Sequence, residues 1–524
     1  PEGLSALRVP RSRYYTVDYV GNVEIPLSEA LHTTTSFGTQ FIARRTETVT
    51  GTGIGLGAPD ITTIQSAANT TGANFYSENN SIGYYIQEQI ALNNRLFLTG
   101  AVRADDNSSF GSNFDVIFYP KLGISWVLSE EPALGRFFDP LGTGQFKVRA
   151  AYGQAGRAPD PYSANQTYTV VKLATSGNTA SALRSVSFGN PDLKPERGEE
   201  YEVGFEGTFL EERLGVDFTY YDKRTRDLLQ FISVAPSSGF ISSQLTNLGE
   251  IKNDGLELLL TATPVRRSAV TWDARLSLGT NANELVRLNN EGRTSTAANF
   301  QAYFPGLQVH RVGFPLASFF SQVAIPDSFV VRSGVTFPVL DSVRYLGTPT
   351  PTREIGLGST LTLFRNVQLF AQLDYKGGHK VFNYKEYNRC RFAANCERVN
   401  DPRLSNPRTS ADSAYIREAS LFAGRGISQN NSIASFVAPY IEDADFLKLR
   451  DVSLSVGIPD RLLGRTGATG ATLILAARNL ATLWTAYSGV DPEANTYGNR
   501  SFVRVDAYAA PQNRRLTAAI HVNF

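Results

Sequence analysis

The stretch that decides the fold is Glu200-Tyr-Glu-Val-Gly-Phe-Glu-Gly-Thr-Phe209. Tyr201, Val203, Phe205 and Phe209 share one parity; Glu200, Glu202, Gly204, Glu206 and Thr208 share the other. Side chains alternate faces along a β-strand, so this segment reads as a strand with one apolar and one strongly polar face. After Leu210 to Glu212 the pattern restarts. Leu214, Val216, Phe218 and Tyr220 then alternate with Arg213, Gly215, Asp217 and Thr219. So short an interval between two such runs predicts a tight hairpin.

The same design recurs along the chain. Leu256, Leu258, Leu260 and Ala262 alternate with Gly255, Glu257 and Thr261. Beyond a turn near Pro264 to Ser268, Trp272, Ala274, Leu276 and Leu278 alternate with Asp273, Arg275 and Ser277. Leu361 and Leu363 lead into a turn at Arg365-Asn366. Val367, Leu369, Ala371, Leu373 and Tyr375 then alternate with Gln368, Gln372 and Asp374. The C-terminal run sets Leu516, Ala518, Ile520, Val522 and Phe524 against Thr517, His521 and Asn523.

Each run lasts about 9–11 residues, the length a tilted strand needs to cross a bilayer. Aromatic pairs (Tyr84-Tyr85, Phe118-Tyr119, Tyr220-Tyr221) are placed at the expected strand ends, as in interfacial girdles. Short turns at 210–212, 263–269 and 364–366 contrast with long polar segments at 154–198, 284–353 and 376–446. Short turns on one side and long loops on the other favour an outer-membrane barrel over a soluble sandwich, which would share the alternation and stays the alternative from pattern alone. The fold class is therefore all-β, an antiparallel transmembrane β-barrel. By parity Val203, Phe205, Phe218, Leu258, Leu276, Leu369 and Ile520 are expected to face lipid. Glu200, Glu202, Glu206, Asp217, Glu257, Arg275 and Asp374 are expected to face the lumen.

Composition excludes other classes. With Lys+Arg 50 against Asp+Glu 49 there is no basic surplus of the kind that grips nucleic acid. An apolar share of 42% is too high for a disordered chain. Four His and two Cys leave little for a metal centre, and no cofactor motif is present. There is no G-x-S-x-G elbow, H-E-x-x-H or P-loop, so no enzyme is read here. Gly51 to Gly57, GTGIGLG, lacks the Lys-Ser/Thr of a phosphate loop and is expected to be a flexible loop. There is no Met, so Pro1 is not a translation start.

Several motifs resemble the SusC/RagA-type TonB-dependent transporters. They are RADDNSSFG (Arg103 to Gly111), FYPKLGISWVLSEEP (Phe118 to Pro132) and KVRAAYGQAG (Lys147 to Gly156). GNPDLKPERGEEYEVGFE (Gly189 to Glu206), YYDKRTRDLL (Tyr220 to Leu229) and NLGEIKNDGLELLL (Asn247 to Leu260) follow. DFLKLRDVSLSVGIP (Asp445 to Pro459) and LAARNLATLWTAYSGVDPE (Leu475 to Glu493) complete the order. The resemblance runs from about residue 80 to the end. It implies a barrel of about 22 strands, of which roughly 14 to 17 are legible here. Residues 1–524 are thus expected to be the C-terminal two-thirds of such a barrel, with the plug domain not in this sequence.

The resemblance also implies active import of oligosaccharides or peptides across the outer membrane. The implied partners are a SusD-like surface lipoprotein, the TonB–ExbB–ExbD complex acting through a plug, and outer-membrane lipid. In the family the terminal Phe is the barrel-assembly signal, a role Phe524 fits. A passive or structural barrel, a porin or scaffold without an energised plug, is the alternative.

Cys390 and Cys396 lie in the long segment YNRCRFAANCERVN. Outside the cell a pair so spaced can close a small ring, so a disulfide is expected ahead of free thiols. His379 is expected to be an exposed loop residue, and His521 to share the polar face.

Overall fold

The computed structural model describes residues 3–524 apart from 59, 114–115, 139, 141, 176–177, 234–236, 238–242, 289–294, 297–306, 333–334, 392, 394, 402–436, 465–466 and 499–502. Parts of two long segments named above, 284–353 and 376–446, therefore lie outside the described residues. Strands dominate. They are β1 (Gly3–Pro26), β2 (Leu31–Leu56), β3 (Ala67–Leu92), β4 (Leu96–Asn107), β5 (Val116–Val127), β6 (Phe146–Arg157), β7 (Thr167–Thr175), β8 (Asn178–Ser187), β9 (Glu196–Phe209), β10 (Leu214–Arg226), β11 (Leu229–Ser233), β12 (Ser243–Asn247) and β13 (Glu250–Arg266). They continue with β14 (Val270–Thr280), β15 (Ala282–Arg287), β16 (Ser295–Thr296), β17 (Gln308–His310), β18 (Ser318–Arg332), β19 (Val335–Gly347), β20 (Arg353–Leu363), β21 (Val367–Gly377), β22 (Lys380–Phe382), β23 (Ile441–Asp443), β24 (Phe446–Ile458), β25 (Gly470–Thr485) and β26 (Arg515–Asn523).

Sixteen strands form one sheet whose neighbours follow chain order, β1-β2-β3-β4-β5-β6-β9-β10-β13-β14-β20-β21-β24-β25-β26, with β15 on β13. The remaining strands form small sheets within the long connections. Two compact units result. One comprises Pro1–Trp126, Arg149–Glu202 and Lys223–Glu250; the other comprises Val127–Val148, Val203–Asp222 and Ile251–Phe524. No helix of the described residues is long and apolar enough to cross a membrane.

In the second unit the register puts one apolar face across seven strands. Leu260 opposes Leu276, Leu276 opposes Leu357, and Leu357 opposes Leu373. Farther on, Leu369 opposes Leu454, Leu454 opposes Leu475, and Leu473 opposes Ile520. Directly opposed residues share a face, so Leu258, Leu276, Leu369 and Ile520 are on one side of the sheet and Glu257, Arg275 and Asp374 on the other. Phe205 and Phe218 also meet, with ring centroids 5.5 Å apart. Among the described residues no other layer covers the apolar face: Leu357 is 43% exposed, Leu369 45% and Ile520 65%. A soluble sheet hides such a face, whereas a membrane strand turns it to lipid.

The connections sort by end. In the second unit 210–213, 267–269 and 364–366 lie at one end, stitched by Thr263 N–H to Arg213 O (2.8 Å), Phe364 N–H to Ala269 O (2.8 Å) and Gly457 N–H to Asn366 O (2.7 Å). Antiparallel order then puts 281–352, 378–445 and 486–514 at the other end. Phe364-Arg365 is a left-handed pair (φ 50°, 64°), as is Asn93-Asn94 (φ 51°, 53°) in the first unit. This is the two-residue geometry whose twist suits a hairpin. Protease applied to intact cells is therefore expected to cut within 281–352 and 378–445 but not at Arg267 or Arg365. Cleavage at either arginine without permeabilisation, mapped by mass spectrometry, would contradict this topology.

Three expectations need correction. Gly51 to Leu56 is not a loop: it is the end of β2, paired residue by residue with Gly3–Leu7 and with 67–72. Strands begin at Gly3, well before the first motif, and β1, β2 and β3 run for 24, 26 and 26 residues rather than the bilayer-crossing length. Tyr84-Tyr85 consequently sits inside β3 and not at its end, and Tyr220-Tyr221 likewise falls in the middle of β10. On its N-terminal side the strand extends beyond the aromatic pair through Thr-, Asn- and Gly-rich sequence such as Asn69-Thr70-Thr71-Gly72.

Candidate functional site

The site is built from the polar face of the sheet and the long connections above it. On the polar face charges are largely paired. Lys223 Nζ lies 2.9 Å from Glu200 Oε2 and Lys147 pairs with Glu206; on the other face, past the apolar run that starts at Leu256, Lys252 Nζ is 3.3 Å from Asp222 and 3.0 Å from Asp254. Glu202 is exposed, and Asp217 is half-buried on β10. Arg275, Asp273 and Gln372 line a groove of about 490 Å³ that reaches Glu212 and Arg213 at the short-turn end. Such a wall is wet, and charged without large net excess.

In the first unit the motifs fold against one another. Gly111 N–H donates to Leu193 O (2.9 Å) and Asn113 N–H to Pro191 O (3.0 Å). Gly111 has to be glycine, because a Cβ there would stand 2.1 Å from Pro191 O. Asn190 Nδ2 donates to Leu245 O (2.9 Å), and Asn247 both accepts from Lys194 N–H and donates to Lys194 O, each at 2.8 Å. Leu193 is completely buried beneath this clasp. Three separated motifs, RADDNSSFG, GNPDLKPE and NLGE, are thus one structural joint.

The second unit carries a firmer joint. Its long connections share a core of Leu307, Phe319, Phe382, Tyr387, Val437, Tyr440, Ile441, Val503 and Val505. Cys390, at the end of the helix Tyr384–Arg391, is disulfide-bonded to Cys396, and both are buried in this core. Below the core an ion lattice ties β24 to the segment after β25. Lys448 Nζ donates to Asp491 Oδ1 (2.6 Å) and Glu493 Oε2 (2.7 Å). Arg450 donates to Glu493 Oε1 (2.5 Å) and to Asp374 Oδ2 (2.8 Å). Burial works to raise the Asp491 and Glu493 carboxyls, but Lys448, joined at Glu493 by Arg450, outweighs it and holds both below the usual range. Tyr487 donates to Asp506 Oδ2 (2.9 Å), and its hydroxyl is pushed well up by burial and then by that carboxylate.

Of the residues singled out in the sequence, Asp374 joins this lattice and the two cysteines join the core above it. Phe524 is 86% exposed just past β26, and His521 sits opposite Thr472. Lys448, Arg450, Asp491 and Glu493 were not singled out, though the signal was present. Lys448 and Arg450 interrupt the apolar alternation of β24, and the two acids lie in the adjoining V-D-P-E.

His379 also needs correction. It is buried, not exposed, at 6%. Its Nδ1 lies 3.9 Å from Asp445 Oδ1, too far for a hydrogen bond, and has no hydrogen-bond partner among the described residues. Burial pushes its pKa down from 6.5 to about 4, with Asp445 opposing and Arg504 and Lys376 assisting. The unfolded segment thus binds more protons between these values. Stability is full above pH 6.5, falls as the pH drops below it, and levels off near 4, a loss of about 3 kcal/mol. Protection factors around 378–381 and 444–446, taken relative to intrinsic amide exchange at each pH, should fall between pH 7 and pH 4.5, and His379→Gln should flatten that dependence. An unchanged pH profile in the variant would refute the assignment.

An uncovered apolar face, a polar opposite face and long connections gathered at one end define an outer-membrane β-barrel protein. The comparisons agree. Residues 4–353 match the family described as TonB dependent receptor-like, beta-barrel, and the chain belongs to that family. It is 25% identical over 482 residues to TonB-dependent receptor P26 of Formosa agariphila, covering 83% of this chain and 45% of the relative. It is 22% identical over 446 residues to TonB-dependent receptor SusC of Bacteroides thetaiotaomicron, covering 80% of this chain and 42% of the relative. The chain therefore spans somewhat under half the length of these curated relatives. Its fold superposes on the structure of the RagAB peptide transporter with a TM-score of 0.80 at 20% identity, covering 100% of this chain and 57% of that one. The protein resides in the outer membrane.

Proposed function

We propose that the chain forms the C-terminal portion of the barrel of an active importer. The wall formed by Glu200, Glu202, Glu206, Asp217, Glu257, Arg275 and Asp374 faces the lumen. A plug domain, encoded outside these residues, closes that lumen and couples it to the TonB–ExbB–ExbD complex. A SusD-like surface lipoprotein sits over the long connections and delivers an oligosaccharide or peptide too large for a porin. Phe524 serves as the assembly signal.

The observation that carries this reading is the built layer over the long-loop end. A core with its own disulfide and a buried ion lattice is a fixed platform rather than a set of floppy loops. Receptors that hand cargo to a channel need such a platform, because ordering loose loops on each encounter costs binding free energy. Membership in the TonB-dependent receptor family supports energised transport over diffusion. The test is uptake of labelled oligosaccharide and peptide pools by cells with and without TonB. Uptake lost without TonB supports active import. Uptake unchanged without TonB would favour a passive channel and end this reading.

A further inference from the structure

The first unit holds a second groove, of about 470 Å³, on the polar face of β2 to β6. Its floor is one cross-strand row. Gly38 opposes Tyr85, Tyr85 opposes Arg103, and Arg103 opposes Tyr119. An arginine is thus flanked on the same face by two tyrosines. Three glycines make room for them. A Cβ on Gly38 would stand 2.7 Å from the Tyr85 ring, one on Gly83 would collide with the guanidinium of Arg103 and the carboxylate of Asp105, and one on Gly156 would overlap the Tyr119 hydroxyl. The large side chains therefore lie along the wall instead of filling the groove.

The charges in the groove are unequal in their freedom. Arg103 spends Nε on Asp105 (2.7 Å and 2.9 Å) and Nη2 on Gln40 (3.2 Å), so its charge is matched locally. Lys121, two residues on from Tyr119 on the same face, is exposed and has no ion pair among the described residues. Asp106 also borders the groove, from the alternate row of β4, where it pairs with Val116. The groove therefore presents the aromatic side chains of Tyr85, Tyr119 and Phe110, amide groups from Gln40 and Gln154, and in Lys121 one cation on the same row as the tyrosines without an ion pair among the described residues. It lies near the end of β4 that leads into the 108–115 connection, away from the short turns at 27–30 and 93–95.

We infer that the Tyr85–Arg103–Tyr119 row together with Lys121 is a binding subsite for a carboxylate-bearing segment of the transported ligand. The ligand's ring or backbone lies over the tyrosines, and its carboxylate pairs with Lys121. The carboxylate can come from a uronic acid of an oligosaccharide or from an acidic peptide. This inference rests on the import reading, and its test separates the two.

The full-length transporter is titrated with trigalacturonate and with a triglutamate peptide, and with neutral galactotriose and triglutamine. One acidic probe is expected to bind about tenfold or more tighter than its neutral counterpart, which also identifies the source of the carboxylate. Lys121→Gln should abolish that preference, with an unchanged thermal transition showing that the fold is intact. Tyr119→Leu should weaken both forms of the preferred probe. If neither acidic probe is preferred, or the preference survives Lys121→Gln, the subsite is wrong. TonB dependence of uptake is scored separately. Uptake that needs TonB but shows no acidic preference sinks only the subsite, and an acidic preference without TonB-dependent uptake sinks only the import reading.

Discussion

Lys448→Ala is expected to loosen the long-connection layer by about 3–5 kcal/mol. Lys448 and Asp491 are each about 95% buried, and removing the lysine strands the Asp491 carboxylate and one oxygen of Glu493 with no cation against them. Water cannot reach these groups readily, so the desolvation that the pair had offset becomes net loss. The readout is protease cleavage within 486–514 together with hydrogen exchange of the same segment. The double change Lys448→Met with Asp491→Asn should be much milder, because it removes both charges and leaves Glu493 held by Arg450. A single variant within about 1 kcal/mol of the parent would mean that the lattice is incidental.

The second large effect belongs to the apolar face. Leu357 lies mid-strand in β20 and opposes Leu276 and Leu373, with lipid beyond. Leu357→Arg is expected to cost about 2–4 kcal/mol in bilayers, the depth-dependent penalty of a cation near the midplane. Gln372 is on the adjacent row of the opposite face, paired with Gly358. Gln372→Arg should cost less than about 1 kcal/mol, because that face is wet. Urea titration in lipid vesicles, followed by heat-modifiable gel mobility, measures both. Equal costs would show that the two faces do not differ in environment.

These two predictions also show what the sequence made legible. The apolar parity of β13, β14, β20, β21 and β26 was readable because lipid enforces period two over the whole membrane crossing. β1 to β3 were not. About 10 residues suffice to cross a bilayer, and these strands are 24 to 26 residues long, with stretches in which Thr, Asn and Gly occupy both faces and no period-two apolar pattern is set. The GTGIGLG segment was mistaken for a loop for that reason. Its pairing with 3–7 and 67–72 comes from register inherited through the hairpin, not from its own side chains. The ion lattice was hidden differently. Asp374 looked like one more polar-face acid, and only tertiary structure brings Arg450 to it. His379 was misjudged because Gly377-Gly378 suggested an open turn. Asp445 instead accepts Gly378 N–H (2.8 Å) and draws the segment inward under Phe446.

The alternation of short and long connections has a consequence for the order in which the chain assembles. Joining β13 to β14 closes a gap of three residues, 267–269, whereas joining β14 to β20 closes 281–352. By loop-closure entropy the second event costs roughly 3 kcal/mol more than the first. Hairpins should therefore arrive as preformed pairs, and pairing between hairpins should wait until each long connection has collapsed on itself. On this view the small sheets inside those connections, such as β18 with β19, shorten the effective gap before the membrane register is sealed. Deleting β16 to β19 would then slow sealing between β14 and β20 only if the remaining linker stayed long. A linker cut to a few residues should speed it.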